Sequence, residues 1–371
     1  MKKIIYTKFF VDVLKIFFLT SFTLVSIIWI LQAVNFLDIV SEDGHSFKTY
    51  FSYSFLNIPK IFSKTFLLSF FIAFYYVLTN YEENNQLLIY WSNNISKINF
   101  LNFILQISLM LILLLILVSF WLVPFTQDKA RLKIRSSNLD FFPALIKPKQ
   151  FIDTVKDLTV FIDSKNKDSI ENIFLKDSSN KKNVQVIIAK NGNIINFSDE
   201  KLLLLKTGKI ISTNTKQKST IFNFDETKLD LGKYSTKTIT DSKIQEISSK
   251  DIFSCLSSLR KEKKIKFINF DCSKRIEKSL LQEMYKRTFK PFYIILIASI
   301  VSFIVLKSHV QSSYNKWKFT IFLIGTFFVI LSEVSINLIS ENMINNTFNI
   351  LFIIVAFLTL YFLYSTKSKK L

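Results

Sequence analysis

The sequence predicts a membrane α-helical protein with six transmembrane helices, arranged three plus three, and an all-β domain inserted between the two groups. Hydrophobic residues make up 50% of the 371 residues and charged residues 20%, and the two kinds fall in separate blocks. Six apolar blocks approach the roughly 20 residues with which a helix crosses a bilayer. Between the third and fourth blocks, short apolar runs alternate with polar turns.

The apolar blocks differ in length and in flanking residues. The first is uncharged and no cleavage site follows it, so we expect it to stay in the mature protein. Pro59 is expected to kink the second, and the short fourth block needs helical flanks or a locally thinner bilayer. The candidates are Ile16–Leu37, Tyr53–Tyr81, a helix within Ile98–Gln127, Pro291–Leu306, Phe319–Ile339 and a helix within Asn342–Thr366.

Charged residues predict the orientation of these spans, because short cytoplasmic loops are enriched in Lys and Arg. Lysines cluster at both termini and between spans four and five: Lys2, Lys3, Lys8, Lys307, Lys316, Lys318, Lys367, Lys369 and Lys370. Acidic residues follow spans one and five: Asp38, Glu42, Asp43 and Glu341. We therefore expect both termini in the cytoplasm and residues 128–286 on the opposite side.

The segment 128–286 is expected to be mostly β-structure. Regular short strands are typical of a β-sandwich or jelly roll, and Asn191-Gly192 is a hairpin signal. The predicted strands are Leu158–Ile162, Asn172–Leu175, Val184–Ala189, Ile194–Phe197, Leu202–Leu205, Ile210–Thr213 and Thr220–Phe224. Helices are predicted over Ser248–Lys261 and Ser279–Lys290, and the second leads into span four.

Two properties of this segment keep alternative interpretations open. It holds 32 basic and 20 acidic residues, which reflects either a lysine-rich genome bias or attraction to an anionic partner such as a phosphorylated lipid. Cys255 and Cys272 would face an oxidising compartment if the segment lies outside a Gram-negative inner membrane. The sequence alone leaves their pairing open.

Scarce residue types exclude several kinds of site. The five glycines fit neither GxGxxG nor GxxxxGK[ST], so we expect no ATP-binding P-loop: they are Gly44, Gly192, Gly208, Gly232 and Gly325. His45 and His309 are the only histidines, and two cysteines cannot form a four-cysteine zinc site. We therefore expect no enzyme, no metal site, no cofactor bound by this chain and no nucleic-acid partner.

Three local patterns narrow the interpretation. They are Trp29-x-x-Gln32-x-x-Asn35-x-x-Asp38 followed by Gly44, the segment Glu83–Ser96, and Glu283-x-x-x-Arg287-x-x-x-Pro291. Together with the three-plus-three plan, they resemble the lipopolysaccharide export permeases of the LptF/LptG family over nearly the whole chain. The Trp-x-x-Gln pattern and the strand Leu158–Ile162 look closer to LptF than to LptG.

The resemblance implies a non-catalytic transmembrane permease subunit of an ABC-type lipopolysaccharide exporter in the bacterial inner membrane. The implied partners are a paralogous LptG-like subunit, a cytoplasmic LptB-like ATPase dimer that binds ATP and Mg²⁺, and periplasmic β-bridge proteins like LptC and LptA. Residues 1–127 would hold spans one to three and a cytoplasmic coupling helix at about 81–96. Residues 128–286 would form a periplasmic jellyroll with flanking helices, and residues 287–371 spans four to six.

Two candidate sites follow. The amphipathic segment 81–96 either docks into the ATPase or lies on lipid, and its candidate residues are Glu82, Glu83, Gln86, Leu87, Tyr90 and Trp91. The resemblance implies a Glu at Gln86, a basic residue or His at Trp91, a Gly at Asn94 and an Arg at Asn35, where this chain differs. A substrate cavity or lateral gate would involve Trp29, Gln32, Asn35, Arg287 and Glu333, because polar groups within a span face protein or a cavity.

A structural role without any substrate is the alternative at several of these positions. An intrahelical ion pair with Glu283 is the simpler prediction for Arg287, and helix–helix hydrogen bonds are the alternative for Gln32 and Asn35. Glu333 is placed either at the outer interface or against a neighbouring subunit. Two other functions also remain open: the paralogous LptG-type subunit, and a membrane-anchored structural or ligand-binding protein that transports nothing.

Overall fold

The computed structural model describes residues 2–37, 47–145, 148–155, 158–166, 169–178, 183–197, 200–214, 219–230, 243–261 and 272–369. Some residues named in the sequence analysis lie outside these ranges: Asp38, Glu42, Asp43, Gly44, His45, Gly232 and Lys370.

Eleven α-helices are found in the described residues. They are α1 (Lys2–Asn35), α2 (Phe47–Leu56), α3 (Ile58–Glu83), α4 (Gln86–Ser92), α5 (Lys97–Leu117), α6 (Val123–Leu145), α7 (Ser249–Arg260), α8 (Lys274–Thr288), α9 (Tyr293–Ser302), α10 (Tyr314–Asn337) and α11 (Met343–Lys369). A π-helix, Val118–Leu122, joins α5 to α6. Two 3-10 segments, Lys290–Phe292 and Phe303–Leu306, flank α9.

Six helical segments in the described residues are long and apolar enough to cross a membrane, which confirms the predicted number. They are Lys2–Asn35, Phe47–Glu83, Lys97–Ile134, Lys274–Leu306, Tyr314–Asn337 and Asn346–Lys369. Several helices run well beyond the uncharged blocks that predicted them. The reason is that lysine side chains reach toward water from helical positions at the ends of a span.

The expected kink in span two is a helix boundary at Asn57. Helix α2 ends at Leu56 and α3 begins at Ile58, so Pro59 lies in the first turn of α3. A proline is tolerated there because its missing N–H would have no partner within the helix. Within α3's own compact unit, the Gln127 amide donates to the Asn57 side-chain oxygen at 3.0 Å.

The short fourth span has the helical flanks that its length requires. Helix α8 precedes it, and the two 3-10 segments extend α9 at both ends. The helix predicted over Ser248–Lys261 is also confirmed as α7, and the Ser248 hydroxyl caps it by accepting from the Asp251 N–H at 3.1 Å. Such a cap satisfies a backbone donor that has no partner within the helix.

The insertion between spans three and four contains one antiparallel sheet, as predicted for an all-β domain. Its strands are β1 (Phe151–Val155), β2 (Leu158–Asn166), β3 (Ser169–Asp177), β4 (Asn183–Phe197), β5 (Glu200–Asn214) and β6 (Ser219–Asp230). They pair in sequential order, so β1 and β6 form the two edges among the described residues. Strand β1 was not predicted from the sequence.

The hairpin predicted at Asn191-Gly192 is wrong. Four predicted strands merge into two, because β4 and β5 run without interruption and Gly192 pairs with Leu205. The glycine lies within a strand and not in a turn, and a Cβ at Gly192 would lie 2.5 Å from the end of the Ile173 side chain, which would have to shift. The chain reverses instead after Phe197, which pairs with Glu200.

Side chains of a strand normally alternate between the two faces of the sheet, and this alternation is broken within strands β3 and β5. Asn172 and Thr207 adopt positive φ, 50° and 51°, and beside them Ile170 and Ile173 are both buried in one core. Residues three apart would face opposite sides of an uninterrupted strand. Both halves of the sheet therefore contribute to a single core, which comprises Ile152, Leu158, Val160, Ile162, Ile170, Ile173, Leu175, Ile187, Ala189, Leu203 and Leu205.

The chain divides into two compact units. One unit comprises Met1–Ile30, Asn57–Asp128 and Lys243–Leu371, and the other comprises Leu31–Leu56 and Lys129–Ser242. The first unit holds an aromatic-rich core in which Phe9, Phe66, Phe74 and Phe100 are fully buried. Most of the phenylalanines of α3 therefore pack against protein, whereas many apolar side chains of α1, α10 and α11 are exposed.

Candidate functional site

The segment around α4 forms a short helix between two tight turns. Asn85 and Asn94, on either side of α4, have φ values of 60° and 56°. Asn is among the few residues with a side chain that adopt this left-handed conformation readily. The resemblance implied a glycine at Asn94, and the left-handed backbone explains why either residue fits there.

The two faces of α4 have opposite environments. Leu87 and Tyr90 are buried in the helical core, whereas Leu88 and Ile89 are 58% and 52% exposed. Trp91 is half-buried, and its ring meets Phe100 edge-on with centroids 5.9 Å apart. The predicted coupling residues Leu87 and Tyr90 therefore face the protein, and the apolar surface free for contact is formed by Leu88 and Ile89.

The acidic residues before α4 contact the connection that leads into α10. Glu82 is buried and its Oε1 accepts from the backbone N–H of His309 at 3.1 Å. The exposed Glu83 forms an ion pair with Lys318, whose Nζ lies 2.6 Å from Glu83 Oε1. Gln86, the third polar candidate, is the half-buried first residue of α4. The two carboxylates thus join the ends of spans two and five.

The candidate residues of span one lie in the last turns of α1. Trp29 and Gln32 are half-buried, and Asn35 is exposed at the final residue of the helix. The main-chain carbonyl of Gln32 accepts from the Phe36 N–H at 3.0 Å, so the turn that ends α1 begins here.

Arg287 is almost completely buried, and its guanidinium is held on three sides. Its Nε donates to Glu283 at 3.0 Å, which confirms the predicted intrahelical pair. Nη1 donates to the Ile247 carbonyl and the Ser249 hydroxyl at 3.0 and 2.8 Å, and Nη2 to the Gln245 carbonyl at 3.2 Å. The planar fork of arginine suits this arrangement, which fastens the start of α7 to α8.

Ser249 extends the Arg287 network to the π-helix. The Ser249 hydroxyl donates to the Phe120 carbonyl at 2.7 Å. Because a π-helix disrupts regular helical bonding and occurs mainly as a single turn at functional positions, a carbonyl in this segment is available to such a donor. The arginine network therefore also reaches span three.

Glu333 pairs with Lys290, a residue that the sequence analysis missed. The Lys290 ammonium lies 2.5 Å from Glu333 Oε1, and the two side chains are 5% and 56% exposed. The pair joins the start of span four to span five, and burial of an unpaired lysine would be costly. A lysine beside Pro291, at the end of a predicted helix and ahead of an apolar block, was the sequence signal for it.

A disulfide joins Cys255 of α7 to Cys272, just before α8, with Cα atoms 6.0 Å apart. The bond settles the pairing that the sequence left open. Ile252 and Leu280 are fully buried around it, so α7 and α8 share a small core of their own.

The sheet carries a groove of about 720 Å³ along the line where side-chain alternation shifts. Phe161, Phe174 and Ile188 supply apolar surface, and Lys190 and Lys209 supply positive charge. Apolar walls with a few polar groups are typical of small-molecule sites. Asp225 also lines the groove, so the charged side chains around it carry a net positive charge of one, which suits an amphipathic anion. In the described parts of the chain, no group of three or more His, Cys, Asp and Glu could hold a metal ion.

Comparison with known proteins gives two findings. The family described as lipopolysaccharide export system permease LptF/LptG matches residues 9–367. An uncharacterized protein of Rickettsia prowazekii (strain Madrid E) is 24% identical over 237 residues, which cover 63% of this chain and 66% of the relative. The match thus spans slightly less than two thirds of that relative's length.

Proposed function

Because the chain belongs to the lipopolysaccharide export system permease LptF/LptG family, we propose that it is the transmembrane permease subunit of an ABC-type lipopolysaccharide exporter. It extracts lipopolysaccharide from the inner membrane and passes it to a periplasmic β-bridge. A separate ATPase subunit binds ATP and Mg²⁺, and this chain catalyses no reaction. The observation that carries the proposal is the extent of the family match, which includes both groups of spans and the sheet between them.

The chain is a multi-pass inner-membrane protein, given its six candidate spans and its family. In the proposed topology, both termini are cytoplasmic and residues 128–286 are periplasmic. The lysines at the chain ends and after span four support this orientation. The disulfide between Cys255 and Cys272 supports it too, because disulfides persist in oxidising compartments such as the periplasm.

The proposed ATPase contact is the exposed face of α4. Leu88 and Ile89 are adjacent apolar side chains on a helix that the predicted topology places in the cytoplasm. A partner groove that receives such a helix removes this apolar area from water. Glu82 and Glu83 act in this proposal mainly within the chain, where they hold the connection between spans four and five.

Exposed helix faces support pairing with a paralogous subunit. The most apolar stretches of spans one and five are only 22% buried, compared with 83% for span four. We assign the chain to the LptF side of the family on its Trp29-x-x-Gln32 pattern, with an LptG-type subunit as the partner. Spans one and five then form the lateral gates, to which Trp29, Gln32, Asn35 and Glu333 contribute.

The sheet edges are proposed to carry the β-bridge. Strand β6 is 12 residues long and β1 is 5, and a free edge offers backbone donors and acceptors for strand addition. The longer β6 therefore offers more pairing to an LptC- or LptA-like domain. The groove with Lys190 and Lys209 lies on the same sheet and suits phosphorylated lipid.

The proposal is tested by reconstitution. This chain, its paralogous subunit and their ATPase are placed in proteoliposomes that contain lipopolysaccharide, and release of lipid to soluble β-bridge protein is measured with and without ATP. ATP-dependent release is expected. A double substitution, Leu88→Asp with Ile89→Asp, should prevent recovery of the ATPase with the complex. Phe253→Asp, which alters an exposed apolar side chain of α7 outside the spans, serves as the control for ATPase recovery.

Two results would contradict the function. Lipid release that is independent of ATP would exclude an ATP-driven exporter. A chain that forms no complex with the paralogue or the ATPase would favour the membrane-anchored binding or structural protein instead.

A further inference from the structure

The cytoplasm-proximal end of α1 is bonded to the segment that surrounds α4. Tyr81, in the last turn of α3, donates its hydroxyl proton to Asp12 Oδ2 at 2.6 Å. Tyr90, in α4, donates to the Ile5 carbonyl at 3.1 Å. The Lys2 ammonium donates to the Asn94 carbonyl at 3.3 Å. Three successive parts of the segment therefore each bind a different turn of α1.

These contacts lie along one face of α1. Lys2, Ile5, Phe9 and Asp12 are spaced by three or four residues, and residues at that spacing lie on the same side of a helix. Phe9 fills the middle of the row, with its ring 5.3 Å from Tyr81 and 5.1 Å from Phe100 in edge-on geometry. Phe9 has no exposed surface. Lys2, Ile5, Phe9 and Asp12, with the residues that they contact in 81–94, thus form one continuous interface, called the seam below. Its centre is packed around Phe9.

Burial, with smaller contributions from Asp12 and Tyr6, raises the pKa of the Tyr90 hydroxyl above its ordinary value, so this hydroxyl remains a hydrogen-bond donor. The Tyr81–Asp12 bond, at 2.6 Å, is the shortest of the three polar contacts of the seam.

The contact on the other side of the segment is weaker. Glu83 and Lys318 are 46% and 29% exposed, and ion pairs in water contribute little because solvent screens them. The buried Glu82 contacts His309, which lies in the connection before α10 and not in the helix itself. The residues just before α4 therefore reach span five through a partly exposed ion pair, whereas Tyr90 of α4 bonds directly to span one.

We propose that Asp12 and Tyr81 are positioning residues that make the N-terminal end of α1 move as one body with the end of α3 and, through it, with α4. The proposal rests on the function proposed above, since it assumes that an ATPase displaces α4. Under this arrangement, span one receives the motion produced by ATP hydrolysis through its first three turns. Neither residue was singled out by the sequence.

The test is the amount of lipid transferred per ATP in the reconstituted complex. Tyr81→Phe removes one hydroxyl and leaves the ring that packs on Phe9, and Asp12→Leu removes the acceptor. Each change should lower the lipid-to-ATP ratio about fivefold, which is the order of one ordinary hydrogen bond. The double variant should be no worse than the poorer single variant, because both changes break the same bond.

The matched control is Tyr76→Phe, which removes a hydroxyl from an exposed tyrosine of the same helix, five residues earlier. It should leave the lipid-to-ATP ratio unchanged. Wild-type ratios for Tyr81→Phe, or strictly additive losses in the double variant, would overturn the proposal. A merely structural role would lower the yield of complex and leave the ratio of the recovered complex intact.

Hydrogen exchange on the wild-type complex gives a second measurement that needs no variant. Binding of the ATPase should slow exchange of amides in residues 2–12 as well as in residues 84–94. Slowing confined to 84–94 would overturn the proposal even if transport proceeds. Failure of the proposed function looks different, because the wild-type chain would then bind no ATPase and release no lipid.

Discussion

Spans four and six have nearly the same mean hydropathy but opposite surroundings. The values are 2.2 for Lys274–Leu306 and 2.1 for Asn346–Lys369, yet 83% of the most apolar stretch of span four is buried and only 11% of that of span six. Hydropathy measures avoidance of water, and lipid or protein meets that requirement equally well. The comparison teaches that the apolar run locates a span without revealing what it packs against.

The side chains of the two spans show where the difference arises. Span four carries small residues at fully or almost fully buried positions, including Ala298, Ser299 and Ser302. Small side chains let helices approach closely. Span six instead presents large apolar groups outward, such as Leu351 and Phe362. Span four is therefore a central helix of this chain, and span six offers its surface to lipid or to another subunit.

The largest expected loss of stability comes from removing the Arg287 side chain, which holds the hydrogen-bond network before span four. Arg287→Ala should lower the free energy of unfolding by about 3–5 kcal/mol, because Glu283 and the Ile247 and Gln245 carbonyls lose the buried donor that they share. Unfolding by SDS titration in detergent micelles measures the change. The control is Arg275→Ala, which truncates an exposed arginine of the same helix and should change stability by less than about 0.5 kcal/mol.

Equal losses for the two arginines would show that α8 is not fixed by the network. That result would also remove the reason for placing Arg287 in a structural rather than a substrate-binding role.

Apolar truncations test the comparison between the spans directly. Ile297→Ala, at a position in span four with no exposed surface, should cost about 2–5 kcal/mol. Leu351→Ala removes a side chain of span six that is 56% exposed and should stay within about 0.5 kcal/mol. The same SDS titration applies, on the isolated chain in detergent micelles.

A large loss for Leu351→Ala only when the paralogous subunit is present would sharpen the comparison. It would identify span six as part of the subunit interface. Similar losses for both variants in the isolated chain would break the comparison altogether.

The smallest effect is expected for the ion pair that joins spans four and five. Glu333→Gln removes the charge of a side chain that is 56% exposed and keeps an oxygen that can accept from the buried Lys290 ammonium. The loss should be about 1 kcal/mol or less and should shrink as salt is added. Stability measured at low and high ionic strength checks this, with Glu341→Gln as a control for an exposed glutamate outside the pair. A salt-independent loss of several kcal/mol would instead show that the buried Lys290 ammonium depends on the charge of Glu333.

Some parts of the fold could be predicted because they depend on local pattern. Apolar length identified all six spans, and the helix predicted over Ser248–Lys261 matches α7. The hairpin at Asn191-Gly192 failed because a glycine can lie either in a turn or within a strand, and only the pairing of Gly192 with Leu205 distinguishes the two. The Glu283–Arg287 pair was predictable since both residues lie one helical turn apart.

The sequence by itself therefore determined the three-plus-three plan and the inserted sheet. Each of these depends on residues that are near one another in the chain. Only the tertiary structure decided that Leu88 and Ile89 are exposed while Leu87 and Tyr90 are buried. It also decided that Lys290 forms an ion pair with Glu333 and that Tyr81 donates a hydrogen bond to Asp12. The physical reason is that burial and hydrogen bonding between distant segments depend on how helices pack, which apolar composition leaves undetermined.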